Sequence, residues 1–451
     1  MSLIIVIVFA ILLWIVRRSV ANSVMRSVMY VYLGYWTLSI LVSLTNPYGF
    51  YTVSDKTYAL LLINVIAFTA GVLVYGNKGT TAVKSTQLKN VQFDIEHIID
   101  SKLFMAILII SDIILIVLYM RFAALLASYS AVEVRTEADL LFEGSSFLSL
   151  TYNLFLNPFC SIVMFLASYL ITFNRKKILP LLLMILFVYI YSEVTVSRLS
   201  FFRLFLCVIF ILFCRNIFAG TVHRRRFSVG RFLGVILSVI IVFSVLAFMT
   251  AQRNHGVNSF SFQAVSIGAD DLLHDFASYS VGPFRAFDYA INADYISKFG
   301  GLQYGRSTLG FIDCFFELIL RRVGVNYHSS YSKVIDLLQN EWIDIGGGST
   351  FNFAYTAVFT HYIDLGYVGV ILFPFLFGLI FHYFVRQFEK SQSTAILILL
   401  SYLFFVALFT VFNWRLDRHN STFLFIYLYF MNKLINRKMG LYAINSDNSN
   451  K

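Results

Sequence analysis

Long apolar runs separated by short polar stretches set the pattern of this chain. They cover 2–16, 27–44, 57–76, 103–120, 148–173, 179–194, 200–219, 232–250, 366–385, 394–412 and 421–435. Most approach the ~20 residues a helix needs to cross ~30 Å of hydrocarbon. The runs are continuously apolar rather than alternating, which argues against membrane strands. The pattern predicts an all-α fold, a polytopic membrane helical bundle of about 11 spans, with 1–451 as one membrane domain. Composition agrees: 59% of residues are hydrophobic and 13% charged, against roughly 25% charged in soluble domains.

Charge then orients the bundle, because basic residues collect in cytoplasmic loops. With the N-terminus outside, the inner loops hold 21 of the 35 basic residues, among them Arg17, Arg18, Lys177, Arg224, Arg225, Arg226 and Arg386, but five of the 24 acids. The order of an apolar run followed by Arg17-Arg18 predicts an N-out anchor rather than a cleaved signal. The net charge of +11 is therefore a topology signal, with no nucleic-acid binding implied. The basic inner face also favours anionic membrane lipids. Cys160, Cys207 and Cys214 fall in or at the end of spans and Cys314 stands alone, so neither a disulfide framework nor a Cys-based zinc site is expected.

Two outer loops are substantial, 121–147 and 251–365. The second is too apolar for a linker and predicts short helices packed on the membrane domain. Within it, 308–323 (TLGFIDCFFELILRRV) places Asp313, Glu317 and Arg321 on one stripe, with Glu317 spaced to pair with Arg321. Its charges predict an interfacial amphipathic helix rather than a span. The run Gly346-Gly347-Gly348-Ser349-Thr350 predicts a hinge, with Ser or Thr capping the following helix. A capped helix start is also an anion site, but no Walker-type lysine follows and no nucleotide is expected.

The outer side carries 11 arginines against three lysines, Lys56, Lys298 and Lys333. Taken singly, each arginine is as well explained by snorkelling to the interface or pairing with an acid. Together they favour a planar fork that binds phosphate oxygens in pairs. Arg198, Arg253, Arg285 and Arg415 are the leading candidates for such a site, with Arg135 and Arg418 next; Arg203 flanks the same turn as Arg198. Candidate proton acceptors are His361 and Asp364 in THYIDLG, and Glu193 beside Arg198. Each has a plainer reading, as an interfacial polar residue or a local ion pair. DDLLHD at 270–275 has metal-ligating residue types, but its ligand set matches no closed structural site, so no metal is assigned. Asp112 lies inside a span and is expected to face other helices.

The VTVSRLSFFR turn, the EVR element at 133–135, YSVGPFRAFDYAI and GGGSTFNFAYTAVFTHYIDLGYVGVILFPFLFGLIFH together resemble the Wzy-type O-antigen (oligosaccharide repeat-unit) polymerases over most of the chain's layout. Arg285 followed by Gly301 resembles an outer-loop motif of some members, while a second such motif is missing. The resemblance implies a GT-C-like glycosyltransferase of lipopolysaccharide biosynthesis in the bacterial inner membrane, N-out and C-in, with its active site facing the periplasm. The growing glycan would leave undecaprenyl pyrophosphate and join the non-reducing end of a new lipid-linked repeat unit. Partners so implied are the undecaprenyl-pyrophosphate-linked oligosaccharide, membrane lipids and a chain-length regulator protein; no cofactor is implied. The alternatives are an O-antigen ligase, which shares the layout, and a lipid-linked oligosaccharide flippase or transporter. The latter commonly carries internal repeats, and none is evident here.

Overall fold

The computed structural model describes residues 2–46, 48–75, 85–126, 128–129, 141–142, 145–174, 176–195, 199–214, 259–351 and 355–433, with a few positions between 243 and 257. It is about 80% helical. Among the described residues five helices are long and apolar enough to cross a membrane: α2 (Ser23–Thr45), α3 (Asp55–Leu73), α5 (Lys102–Leu125), α6 (Phe147–Phe173) and α13 (Ala357–Ser391). α7 (Ile178–Val194), α8 (Leu199–Phe213) and α14 (Thr394–Phe409) are shorter and equally apolar. α1 (Ser2–Ser19) and α15 (419–433) lie on the first and last predicted runs. α4 (Ser85–Asp100) is an amphipathic helix that the apolar pattern did not announce. Most of the predicted span 232–250 and about half of the 121–147 loop lie outside the described residues.

Helix pairs meet where small residues let backbones approach, as expected where lipid supplies no hydrophobic drive between helices. A Cβ on Gly71 of α3 would sit 2.0 Å from the Phe375 carbonyl oxygen of α13, and one on Gly378 would sit 2.2 Å from that of Phe68. His382 Nδ1 adds a bond to the Val72 carbonyl at 2.5 Å. Trp36 of α2 stacks on Phe284 at 5.9 Å and donates to Thr410 Oγ1 at 3.2 Å, tying the bundle to the large loop.

Polar contacts sort to two ends. One end holds Asn22 against Glu389 and Lys177 on Asp100 at 2.6 Å. The other carries α9 (Phe262–Asn292), α10 (Tyr295–Lys298), α11 (Gly310–Arg322), α12 (Ser330–Asn340) and a two-stranded antiparallel hairpin, β1 (Ile343–Gly346) and β2 (Ser349–Phe351).

One expectation for the large loop changes. The glycine run caps no helix: it turns the hairpin, with φ of +87°, +61° and +73° at Gly346, Gly347 and Gly348. The following helix starts at Ala357, with Thr356 at its N-cap position. The physical reason is close approach. A Cβ on Gly346 would lie 2.6 Å from Tyr51 N, and one on Gly347 2.5 Å from Tyr48 O.

The helix α11 forms on the predicted stretch, and the structure adds which way it faces. Asp313 and Glu317 are buried while Ile312, Phe316 and Ile319 are exposed. Asp313 accepts from Arg306 Nε at 3.1 Å and Ser330 N at 2.6 Å. Glu317 pairs with Arg321 at 3.0 Å and accepts from Ser332 Oγ at 2.8 Å. The helix is inside-out: its polar stripe holds the next loop and its apolar face points away from the protein.

Candidate functional site

The segment NWRLDRHN at 413–420 joins α14 to α15. Six of its eight residues are charged or carry amide or imidazole groups, so no apolar face remains to continue the helix. Phe412 and Asn413 still donate to the Phe409 carbonyl, at 2.9 and 2.8 Å. Helix resumes at residue 419.

The backbone of this turn is pinned from several directions. Phe311 N donates to Leu416 O at 2.8 Å. Tyr402 Oη and Ser421 Oγ donate to Arg415 O at 3.2 and 3.3 Å. Cys314 Sγ donates to Asp417 O at 3.2 Å. A Cβ on Gly310 would be 2.6 Å from Asp417 Cα, so α11 lies directly on the turn. Trp414 Nε1 donates to Thr308 O at 2.7 Å.

The side chains of the same turn are largely unsatisfied. Asn413 Oδ1, Arg415 Nε, Asp417 Oδ1, Arg418 Nε, His419 Nε2 and Asn420 Oδ1 are buried without a hydrogen-bond partner. Buried polar atoms are otherwise almost always paired. Six such atoms in eight consecutive residues, on a backbone held in place, mark a site prepared for a polar ligand. Donors and acceptors both stand free, so the ligand must offer both.

The electrostatics call for an anion. Arg415 lies over Phe409 at 4.8 Å and Arg418 over Tyr331 at 5.1 Å. Arg203 of α8 lies over Phe405 at 4.6 Å, donates to Ser161 Oγ at 2.6 Å, and is within electrostatic reach of Arg415. Asp417 is the carboxylate set among them, its Oδ1 3.7 Å from Arg418 Nε. Burial, with Arg418 adding to it, brings Arg415 down to about 10, so it stays protonated at neutral pH. Arg418 is held above the usual arginine value, chiefly by the Tyr331 oxygen. Burial raises Asp417, an effect the two neighbouring arginines oppose. Arg418 keeps 41% of its side-chain surface accessible, so a ligand can reach it. Tyr152, in a π-helical stretch of α6 (Thr151–Leu156), and Tyr191 of α7 stack at 5.9 Å and also sense Arg418. Single-turn π segments recur at functional sites.

The expected residues distribute as follows. Arg415 and Arg418 come together in this turn. Arg285 lies elsewhere, paired with Asp288 at 2.8 Å and over Tyr51 at 5.7 Å; Asp288 also accepts from Thr57 Oγ1 at 2.7 Å. Arg135, Arg198 and Arg253 lie outside the described residues. His361 is buried between Trp414 and Phe373, with Nδ1 3.1 Å from Thr308 Oγ1. Asp364 is fully buried, and its two oxygens accept from Ser307 N at 3.0 Å and Thr308 N at 2.7 Å. Both therefore brace the 303–308 loop that supports Trp414. Glu193 is half-buried in the last turn of α7. Arg203 and Asp417 were not singled out as site residues. Arg203 looks like an ordinary span-end cation, and Asp417 like the local counter-ion of the arginines beside it. In DDLLHD, Asp271 pairs with His255 at 2.9 Å and His274 packs edge-on against Tyr48 at 5.0 Å. Comparison of the chain with protein-family models, with curated proteins and with solved structures returns no match.

Proposed function

We propose that this protein is a membrane glycosyltransferase that polymerises oligosaccharide repeat units. It moves the growing glycan from undecaprenyl pyrophosphate to a new lipid-linked unit, in a GT-C-like bundle of about 11 spans with its N-terminus outside, at the periplasmic face of a bacterial inner membrane. The observation that carries the reading is the pinned 413–420 turn with its unpartnered donors and acceptors. A sugar pyrophosphate offers what that turn lacks, oxygens for Arg415 and Arg418 and hydroxyls for the free amide and carboxylate oxygens. Such preorganised guanidiniums stabilise the charge that develops on a departing pyrophosphate. The leaving group supplies the driving force, so the reaction needs no nucleotide. The exposed apolar helix faces suit two polyprenyl tails approaching from the side.

The test is reconstitution in proteoliposomes with lipid-linked repeat units extracted from a strain lacking this protein. The wild-type protein should give a ladder of glycan lengths, with and without a chelator. R415A and R418A should each cut chain elongation by roughly 10²–10³-fold, the usual loss for one preorganised donor. R418K should recover little, because an ammonium cannot replace a bidentate fork. Unchanged ladders in R415A and R418A would remove the basis for the assignment. An O-antigen ligase would instead leave the repeat units unjoined and require a lipid A–core acceptor.

A further inference from the structure

Transfer to a sugar hydroxyl needs a group that takes the hydroxyl proton. Two of the residue types expected to do so are committed elsewhere. Both Asp364 oxygens hold backbone amides, and His361 is enclosed by aromatic rings. One carboxylate in the arginine turn keeps a buried oxygen that accepts no hydrogen bond, Asp417 Oδ1, with Arg418 Nε 3.7 Å away. Its main chain is fixed by Cys314 and by the close approach of Gly310, so the oxygen has a defined position. Its side chain is 19% exposed overall while Oδ1 itself is buried, which shields that oxygen from free hydration.

Resting on the polymerase reading above, we infer that Asp417 is the general base that activates the acceptor hydroxyl. Asp417 Oδ1 accepts the hydroxyl proton as the acceptor oxygen forms its bond to the anomeric carbon of the donor. The bond from that carbon to the pyrophosphate oxygen breaks, and its electron pair leaves with undecaprenyl pyrophosphate. Arg415 and Arg418 meet that charge. The proton passes from Asp417 to the departing pyrophosphate or to water, which restores the carboxylate. No metal or redox partner enters the balance.

The groups that face Asp417 decide how this titrates. They are Arg415 and Arg418 on its own turn, Cys314 of α11, Tyr331 of α12 and Tyr402 of α14. Burial raises the Asp417 carboxyl above the usual carboxylate value and the two arginines oppose that rise, so it is a more basic acceptor than a solvated carboxylate. A base placed closer to the working pH is the more effective one. Turnover should therefore rise with pH along an acid limb that belongs to Asp417.

The experiment compares wild type, D417N and D417E in the same proteoliposomes. It measures turnover of lipid-linked repeat units from pH 5 to 9 and, separately, binding of undecaprenyl pyrophosphate. D417N should bind undecaprenyl pyrophosphate within about threefold of wild type, which also reports correct folding, yet lose about 10²–10⁴-fold in turnover. Its residual activity should lack the acid limb, and D417E should restore part of the rate together with the limb. D417N turnover within tenfold of wild type overturns the assignment. So does a loss of turnover matched by an equal loss of binding with the limb intact, which would make Asp417 a counter-ion alone. Absence of elongation by the wild-type protein rejects the polymerase reading, and the base with it; that outcome is distinct because it precedes any substitution.

Discussion

Asp417 and Asp364 show how differently two buried carboxylates can be used. Asp364 spends both oxygens on the amides of Ser307 and Thr308, whereas one oxygen of Asp417 accepts no hydrogen bond. D364A should strand two buried N–H groups and cost about 2–5 kcal/mol, read as a lower unfolding midpoint in detergent. D364N keeps one acceptor and should lose less. If the folded D364N protein were instead inactive, Asp364 would have a catalytic role that its hydrogen bonds do not suggest. At this scale the sequence was partly legible. Arg415 and Arg418 stood out because NWRLDRHN interrupts two apolar runs. Asp417 did not, since an acid between two arginines looks like their partner until an oxygen without a hydrogen bond is seen. Arg203 was equally hidden, because its neighbours Ser161 and Phe405 come from helices distant in the chain.

Elements were read more surely than their faces. The apolar runs anticipated the described apolar helices, most of them to within a few residues, because a continuous apolar stretch of that length has little alternative to a helix in lipid. The exception is α13, which starts at Ala357, ahead of the apolar run at 366, and breaks at Leu365 and Gly366, where φ/ψ leave the helical region. The glycine run misled because glycine permits several geometries and the choice lies with its neighbours. Here Tyr48, Phe50 and Tyr51 press against the turn and leave no room for a side chain. This predicts an order among substitutions. G346A and G347A meet both a left-handed φ and a backbone atom within 2.6 Å, while G348A meets a left-handed φ alone, with nothing within 4 Å. G348A should therefore cost about 1 kcal/mol and the other two clearly more, measured by thermal unfolding or by protease cutting in the hairpin.

On the scale of the whole molecule, α11 joins the candidate site to the molecular surface. Its inner side holds the 413–418 turn through Gly310, Phe311 and Cys314, and its outer side presents Ile312, Phe316 and Ile319. An apolar outer face next to Arg321 and Arg322 fits a helix resting in the lipid headgroup region. A nitroxide at F316C should then be relaxed more by oxygen than by a water-soluble nickel complex in proteoliposomes; the reverse order would place the helix in water. The helix and its stripe were legible in the sequence but its direction was not, because amphipathicity states that two faces differ and not which one the protein keeps. That direction bears on how the protein can be handled. A fragment cut at 262–356 would be severed from the 413–418 turn that Gly310, Phe311 and Cys314 hold, and would turn its greasy side to water. Antibodies raised or ligands screened against such a fragment would meet the inner side of α11, which the intact protein keeps against that turn.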